Sequence, residues 1–390
     1  MNRTVVLGAG YGGVACVQEL ESIPNFDPEI VWIDMNDYHL VQHEIHRIIY
    51  DVSVRDTLTI PVEEIKDGST RFIQASVEGF DFSEKQVTVV EKRNSEREER
   101  EIGYDYLVVA LGQKTNLHGI PGVEEYAFTL KSLNDALDIR EALEELLRKD
   151  GKKRVVVGGA GLSGIQATGE IADFLNSRLS LSDYSVTLVE TLSDIMPREG
   201  GSRFRRAIRK ELRSRGVMTL TNSPVVEVTQ DEIYIEGRDP LPYDVFLWTG
   251  GLTSHDFECD EELKRGERDA FRVRSTLESV DFDDVFVVGD AAYVKDVSDR
   301  KAPATAWAAK DEARVAARNV KRKMKDQELE KFRLRKPGTL VSVGRDAVGE
   351  INGRVVTGLA AKTMKRGAAV RHISSVGGAS RGIESAFEGL

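Results

Sequence analysis

The sequence predicts an α/β fold in which one strand, glycine turn, helix, strand design occurs twice, with an antiparallel insertion in the first copy and a small C-terminal appendage. Three observations carry this. An apolar strand runs into a glycine turn and a helix at the N-terminus, the same pattern returns near residue 154, and an acidic residue closes the strand after each copy. The 390 residues are 41% hydrophobic and 31% charged, which excludes a disordered chain or a disulfide-stapled miniature and suggests two or three domains. With 65 Asp and Glu against 54 Lys and Arg the net charge is -11, too acidic for nucleic acid to be the main partner. Cys16 and Cys259 stand alone, so neither a disulfide framework nor a zinc cluster is available, and a reducing compartment, the cytoplasm, is expected. The opening MNRTVVLGAGYGG is expected to be a strand and glycine turn rather than a signal peptide, and no apolar run reaches the ~18 residues of a spanning helix.

In the first copy, Thr4 to Leu7 is the strand, Val14 to Leu20 the helix, and Ile30 to Ile33 the second strand, ending at Asp34. These form a βαβ unit. Its turn, Gly8, Gly10 and Gly13 with Gly12 between, lets the backbone approach a pyrophosphate and present it to the positive end of the helix. Asp34 falls 21 residues past Gly13, where a ribose hydroxyl needs an acceptor. From Arg71 to Val109 short alternating strands indicate antiparallel sheet, with the charged run Ser95 to Glu101 read as a solvated hairpin loop. Gly112 to Gly122 has the turn-rich composition of a linker.

In the second copy, Arg154 to Val157 is the strand, Gly159, Gly161 and Gly164 the turn, Ile165 to Leu175 the helix, and Ser185 to Val189 a strand closing on Glu190. A carboxylate at Glu190 accepts from a ribose 2′-OH and repels a 2′-phosphate, so NADH is expected over NADPH. Two dinucleotide sites of this Rossmann-like kind imply two cofactors, and the economical pair is a tightly held flavin with an exchanging nicotinamide. Further on, Val285 to Val288 reads as a buried strand ending in Gly289-Asp290, and Thr305 to Met324 as an Ala-rich helix with a basic end. From Lys331 to Leu390 eleven Lys and Arg face four Asp and Glu, a local +7 that leaves -18 for the rest.

Beyond these patterns the sequence resembles the two-dinucleotide-binding-domain flavoproteins of the glutathione-reductase-like superfamily, and within it the type II NADH:quinone oxidoreductases. The resemblance rests on NDYHL (Asn36 to Leu40), YDYLVVALGQKTNLHGIPG (Tyr104 to Gly122), AFTLKSLNDALDIREAL (Ala127 to Leu143), VFLWTGG (Val245 to Gly251) and VFVVGDAA (Val285 to Ala292). It implies an FAD-binding domain in residues 1–118 and 254–330, an NADH-binding domain in 119–253, and a C-terminal segment 331–390. The implied activity is transfer of a hydride from NADH to FAD and of two electrons to a quinone, without proton pumping. Gly289, Asp290 and Ala291 match the motif that holds the flavin ribityl chain. Ala110 and Gly112, and Gly250 and Gly251, match the crossover segments beside the flavin and the nicotinamide. Glu170 matches a glutamate implicated in communication between the two substrates, and a neighbouring acid of the family pattern is here Gln166.

The sequence also departs from the resemblance. Where the family's quinone-side motif carries two glutamines, this chain reads Ala306-Trp307-Ala308-Ala309-Lys310-Asp311-Glu312. Thr305 and Trp307 are the acceptor-side candidates, with Lys310 and Asp311 read as a solvated turn. The tail lacks the aromatic helices by which relatives dock on a bilayer. Ile383, Phe387 and Leu390 do fall at i, i+4 and i+7, and the local +7 favours an anionic lipid surface; peripheral contact with the cytoplasmic face of a membrane and dimerisation through the tail both stay open. His39, His43 and His46 have helical spacings but no accompanying carboxylate pattern, and no metal is assigned. Neither cysteine suits disulfide or sulfide chemistry, leaving an organic acceptor or O2. The rivals to quinone reduction are an NADH-responsive flavoprotein acting as a redox sensor and an oxidoreductase with a soluble acceptor.

Overall fold

The computed structural model describes residues 2–24, 28–93, 96–196, 200–261, 263–335 and 338–387. The chain divides into two compact units, one of Met1–Leu40, Thr59–Lys114 and Thr253–Arg335, the other of Val41–Leu58, Thr115–Leu252 and Lys336–Leu390. Val41–Leu58, which falls inside the 1–118 segment of the sequence reading, thus joins the second unit, as does the tail.

The first unit is organised by a five-stranded parallel sheet in the order Val285–Val287, Tyr106–Val109, Arg3–Leu7, Glu29–Asp34, Arg71–Gln74. Apart from the edge strand Arg71–Gln74, its strands are largely apolar runs rather than alternations, as expected where both faces are covered. Val5, Leu7, Val31, Ile33, Leu107, Val109, Val285 and Val287 form one core with Phe80 and Phe82 of the antiparallel insertion. Each such side chain, fully buried, contributes roughly 1.5–3 kcal/mol relative to exposure. The insertion consists of Ser76–Asp81, Gln86–Arg93 and Glu96–Gly103, joined in parallel by Glu258–Cys259. Here the sequence reading needs correcting: Glu96 to Glu101 are paired strand residues on an exposed hairpin arm and not a loop, while Ser95 lies outside the described residues. Directly opposite residues include the like-charged pair Glu91 and Glu98, and the repulsion is offset by ion pairs of Arg100 with Glu91 and of Arg97 with Glu78.

In the second unit the parallel sheet has four strands, in the order Val217–Leu220, Tyr184–Val189, Lys153–Gly158, Val245–Trp248. Helix Leu133–Arg148 precedes it. Its start is fixed by a capping box, in which Ser132 accepts from the Asp135 backbone N-H and the Asp135 carboxylate accepts from Ser132 N. The tail forms an antiparallel meander, Thr339–Val343, Asp346–Ile351 and Arg354–Thr357, followed by helix Gly358–Phe387, which breaks at Gly378. Of the amphipathic triad read there, Leu390 lies outside the described residues, and Ile383 is exposed. No helix among the described residues is long and apolar enough to cross a membrane.

Candidate functional site

Both glycine turns are built alike. Gly8 and Gly159 adopt φ of +100° and +95°, a region that only glycine occupies without strain. A side chain on Gly13 would place its Cβ 1.7 Å from Gly8 O, and one on Gly164 would sit 1.9 Å from Gly159 O, so the helix start presses directly on the turn. At the middle glycines the situation reverses: a Cβ on Gly10 or Gly161 would meet nothing within 4 Å. That gap, at the N-terminal ends of helices Tyr11–Ser22 and Leu162–Asn176, is the space a pyrophosphate needs to reach the exposed N-H groups. The residues present therefore fit dinucleotides at both turns.

The strand-end acids also match. Asp34 Oδ2 accepts from Ala9 N at 2.5 Å and its Oδ1 from Asn36 N at 2.7 Å. Glu190 Oε2 accepts from Ala160 N at 2.7 Å and its Oε1 from Leu192 N at 2.9 Å. Each carboxylate thus clamps the residue after the first glycine and keeps lone pairs for a further donor. Burial pushes the Asp34 carboxyl up from its ordinary range, opposed by the hydrogen bonds from Asn36 and Ala9.

Around the first turn the structure gives partners to residues the sequence had named, and adds Glu312 to them. His39 is fully buried with Nδ1 2.7 Å from Ala9 O. Burial lowers its pKa to about 4, so the ring is neutral and Nδ1-H donates to the carbonyl. Gly8 and Gly12 pack against Ala110, and Gly289, with φ of +67°, opens the short turn Gly289–Ala291 that carries Asp290. That turn is held by Glu312, whose Oε2 accepts from Gly289 N at 2.8 Å. Desolvation raises the Glu312 carboxyl to about 8, with the neighbouring Asp290 charge adding to the effect. A sequence signal for Glu312 existed, since it shares the buried stripe of Ala309, Ala313 and Ala316 on helix Ala306–Met324. Lys310 and Asp311, expected in a turn, lie in that helix; Lys310 Nζ is 5.9 Å from the centre of the Tyr11 ring. Thr305 Oγ1 is buried without a hydrogen-bond partner among the described residues, a group awaiting an acceptor or donor, and Trp307 is half-buried.

In the second unit Gly250 has no room for a side chain, because the Trp248 indole fills the place 2.2 Å from its would-be Cβ. Trp248 Nε1 donates to Asn116 O at 2.8 Å, and the His118 ring nitrogen Nε2 sits 2.6 Å from Gly250 O, which fixes the Gly250–Gly251 backbone. Glu170 is 6% exposed, and desolvation raises its carboxyl to about 8, with Asp173 contributing. Across from it lies His46, its Nε2 4.0 Å from Glu170 Oε1 and 3.4 Å from Gln166 Nε2. Burial drives the His46 pKa down to about 3, so a neutral acid faces a neutral imidazole near pH 7. Glu44, buried beside them, is paired with Lys365 at 2.7 Å. No group of three metal-capable side chains gathers among the described residues. Cys16 is buried, and desolvation raises its thiol far above the ordinary value, which makes it unreactive.

A type II NADH:quinone oxidoreductase of Staphylococcus saprophyticus is 28% identical, the match covering 96% of each chain, and that of Staphylococcus aureus is 27% identical with the same coverage. Among solved structures, NDH2 from Plasmodium falciparum in complex with NADH superposes with a TM-score of 0.87 at 16% identity, covering 98% of this chain and 97% of that one. The sulfide:quinone oxidoreductase from Aquifex aeolicus gives 0.83 at 19% identity over 97% and 92%. These structural likenesses establish the fold, an α/β architecture of parallel Rossmann-like sheets. Residues 2–313 match the model of the pyridine nucleotide-disulphide oxidoreductases, and to that family of oxidoreductases the chain belongs.

Proposed function

We propose that this protein is a type II NADH dehydrogenase that carries FAD and reduces a quinone. The observation that supports it most is the pair of acid-clamped glycine turns with open middle glycines, repeated in one chain whose relatives of matching length are type II NADH:quinone oxidoreductases. FAD would be held by Gly8, Gly10, Gly12, Gly13, Asp34, Ala110, Gly112, Gly289, Asp290 and Ala291, within residues 1–118 and 254–330. NADH would be held by Gly159, Gly161, Gly164, Glu190, Gly250 and Gly251, within 119–253. When bound, the flavin supplies the chemistry, taking a hydride from NADH and giving up two electrons to the acceptor.

The chain's own residues bind, orient and set the proton inventory. The turn N-H groups and helix ends neutralise phosphate charge, Asp34 and Glu190 accept from ribose hydroxyls, and Glu190 repels a 2′-phosphate. Glu170 keeps its proton at the carboxyl near neutral pH and is the assigned catalytic residue. Thr305, whose hydroxyl has no partner among the described residues, and Trp307 are assigned to the acceptor side. The basic tail, with its exposed Leu359, Met364 and Ile383, is the assigned contact for an anionic membrane surface or a second copy. One observation favours a rival reading. Trp307 and Asp311 stand where the resemblance has its two glutamines, so an NADH-responsive sensor, or an enzyme with a soluble acceptor, is the alternative.

The test is an anaerobic titration of the yellow protein with NADH and, separately, NADPH, followed by a water-soluble quinone. Bleaching by NADH alone and prompt recovery with quinone are expected. Bleaching without recovery would remove the quinone assignment, and equal bleaching by NADPH would remove the role given to Glu190.

A further inference from the structure

The loop after Glu190 is tied at both ends to one residue of the second glycine turn. Ala160 N donates to Glu190 Oε2 at 2.7 Å, and Met196 N donates to Ala160 O at 2.9 Å, so residues 190–196 form a closed ring of backbone around the strand-end carboxylate. Its middle is pinned as well, by Asn222 N donating to Leu192 O at 2.9 Å and Ile195 N donating to Asp194 Oδ1 at 2.9 Å. Asp194 sits in this ring and binds two guanidiniums from helix Ser202–Ser214. Arg205 Nε donates to Oδ2 at 2.9 Å, while Arg209 Nη2 and Nε donate to Oδ1 at 2.5 and 3.2 Å. Arg205 Nη1 is further occupied by Gly200 O at 2.8 Å. Burial alone would push the Asp194 carboxyl up, but the Arg209 and Arg205 guanidiniums hold it below its ordinary range.

Two forked cations on the rim of a ribose-binding loop are what a 2′-phosphate would be recognised by, since guanidiniums bind phosphate through paired charge-assisted hydrogen bonds. Here Arg205 spends Nε on Asp194 and Nη1 on Gly200 O, and Arg209 spends Nε and Nη2 on Asp194. We infer that Asp194 is a specificity-determining residue of the second nucleotide site: by engaging Arg205 and Arg209 it denies them to a 2′-phosphate, so cofactor choice rests on two carboxylates, Glu190 by repulsion and Asp194 by sequestration. This rests on the reading that NADH occupies the second turn. Replacing Glu190 alone removes the repulsion but supplies no cation; releasing the arginines supplies it.

The experiment measures NAD+ and NADP+ binding to the flavin-loaded full chain by calorimetry, the oxidised nucleotides avoiding turnover. Four proteins are compared: wild type, Glu190→Ala, Glu190→Ala with Asp194→Asn, and that double variant with Arg205→Gln and Arg209→Gln. From Glu190→Ala to the double variant, NADP+ affinity rises about tenfold or more, the scale of one new charged contact, and falls back when the arginines are removed. NAD+ affinity stays level across these three variants, which a general loosening of the loop would not allow. Asp194→Ser in place of Asp194→Asn keeps an acceptor for Ile195 N and serves as the second version if the first fails to fold. No gain in NADP+ affinity, or a gain that survives loss of both arginines, overturns the inference while leaving the NADH reading intact. A wild type that binds no NAD+ overturns both.

Discussion

Glu312 offers a quantitative test of how the first unit is held together. Its carboxyl is 2% exposed, accepts from Gly289 N, and has a pKa raised from 4.5 to about 8. Unfolded, the group ionises near its ordinary value, so between these two values the folded protein binds the extra proton. Stability from this group is therefore complete below pH 4.5 and is lost as pH rises through about 8. At about 1.4 kcal/mol per pKa unit, that window sets a ceiling on the order of 5 kcal/mol. Glu312→Gln keeps a carbonyl acceptor for Gly289 N and removes the ionisation. Urea unfolding of both proteins, followed by tryptophan fluorescence from pH 4.5 to 8.5, should show the wild type losing stability relative to the variant as pH rises, by about 1 kcal/mol or more. Parallel profiles would refute the reasoning, because they would mean that Glu312 is not a proton-holding clamp. Glu312→Ala would instead strand a buried N-H, at roughly 1–3 kcal/mol at any pH.

Other outcomes follow from the same geometry. Gly13→Ala, whose Cβ would sit 1.7 Å from Gly8 O, should yield colourless or insoluble protein, whereas Gly10→Ala, with open space, should keep the thermal midpoint and lose flavin affinity; flavin content per chain and a melting scan distinguish the two. Gly250→Ala, 2.2 Å from the Trp248 ring, should cost about 1–3 kcal/mol by overpacking and shift tryptophan emission, as read by chemical denaturation. If Glu170 works in its protonated form, activity with NADH and quinone should fall as pH passes about 8, and Glu170→Gln should lack that limb in its kcat/KM profile.

The nucleotide-binding frame was legible because its signals are local. Each glycine turn, its helix and its closing acid lie within one short stretch, and the strands observed, Arg3–Leu7, Glu29–Asp34, Lys153–Gly158 and Tyr184–Val189, extend the expected ones by a residue or two where the apolar run fades into polar flanks. Glu96 to Glu101 were misread because charge density suggests a loop, whereas cross-strand pairing with Thr88 to Arg93 stabilises strand conformation without an apolar face. His46 facing Gln166 and Glu170 could not be read at all, since 120 positions separate His46 from Gln166 and nothing local marks the pairing. Arg205 and Arg209 carried no sequence signal, since only the fold brings their guanidiniums to Asp194.

The tail, read from sequence as an appendage, is wedged into the second unit at a place that tolerates no side chain. A Cβ on Gly169 would meet Gly344 N at 2.2 Å, and the Asp173 carboxylate one helical turn on is shared, Oδ1 taking Arg215 Nε at 2.9 Å and Oδ2 taking Arg345 N at 2.7 Å. Backbone thus lies against backbone at the residue before Glu170. Whatever grips the tail from outside, a lipid surface or a second copy, would pull on the helix that presents that acid, as a handle pulls on a shaft. The contact proposed for the tail and the acid proposed for catalysis are thus joined through packed backbone within one unit.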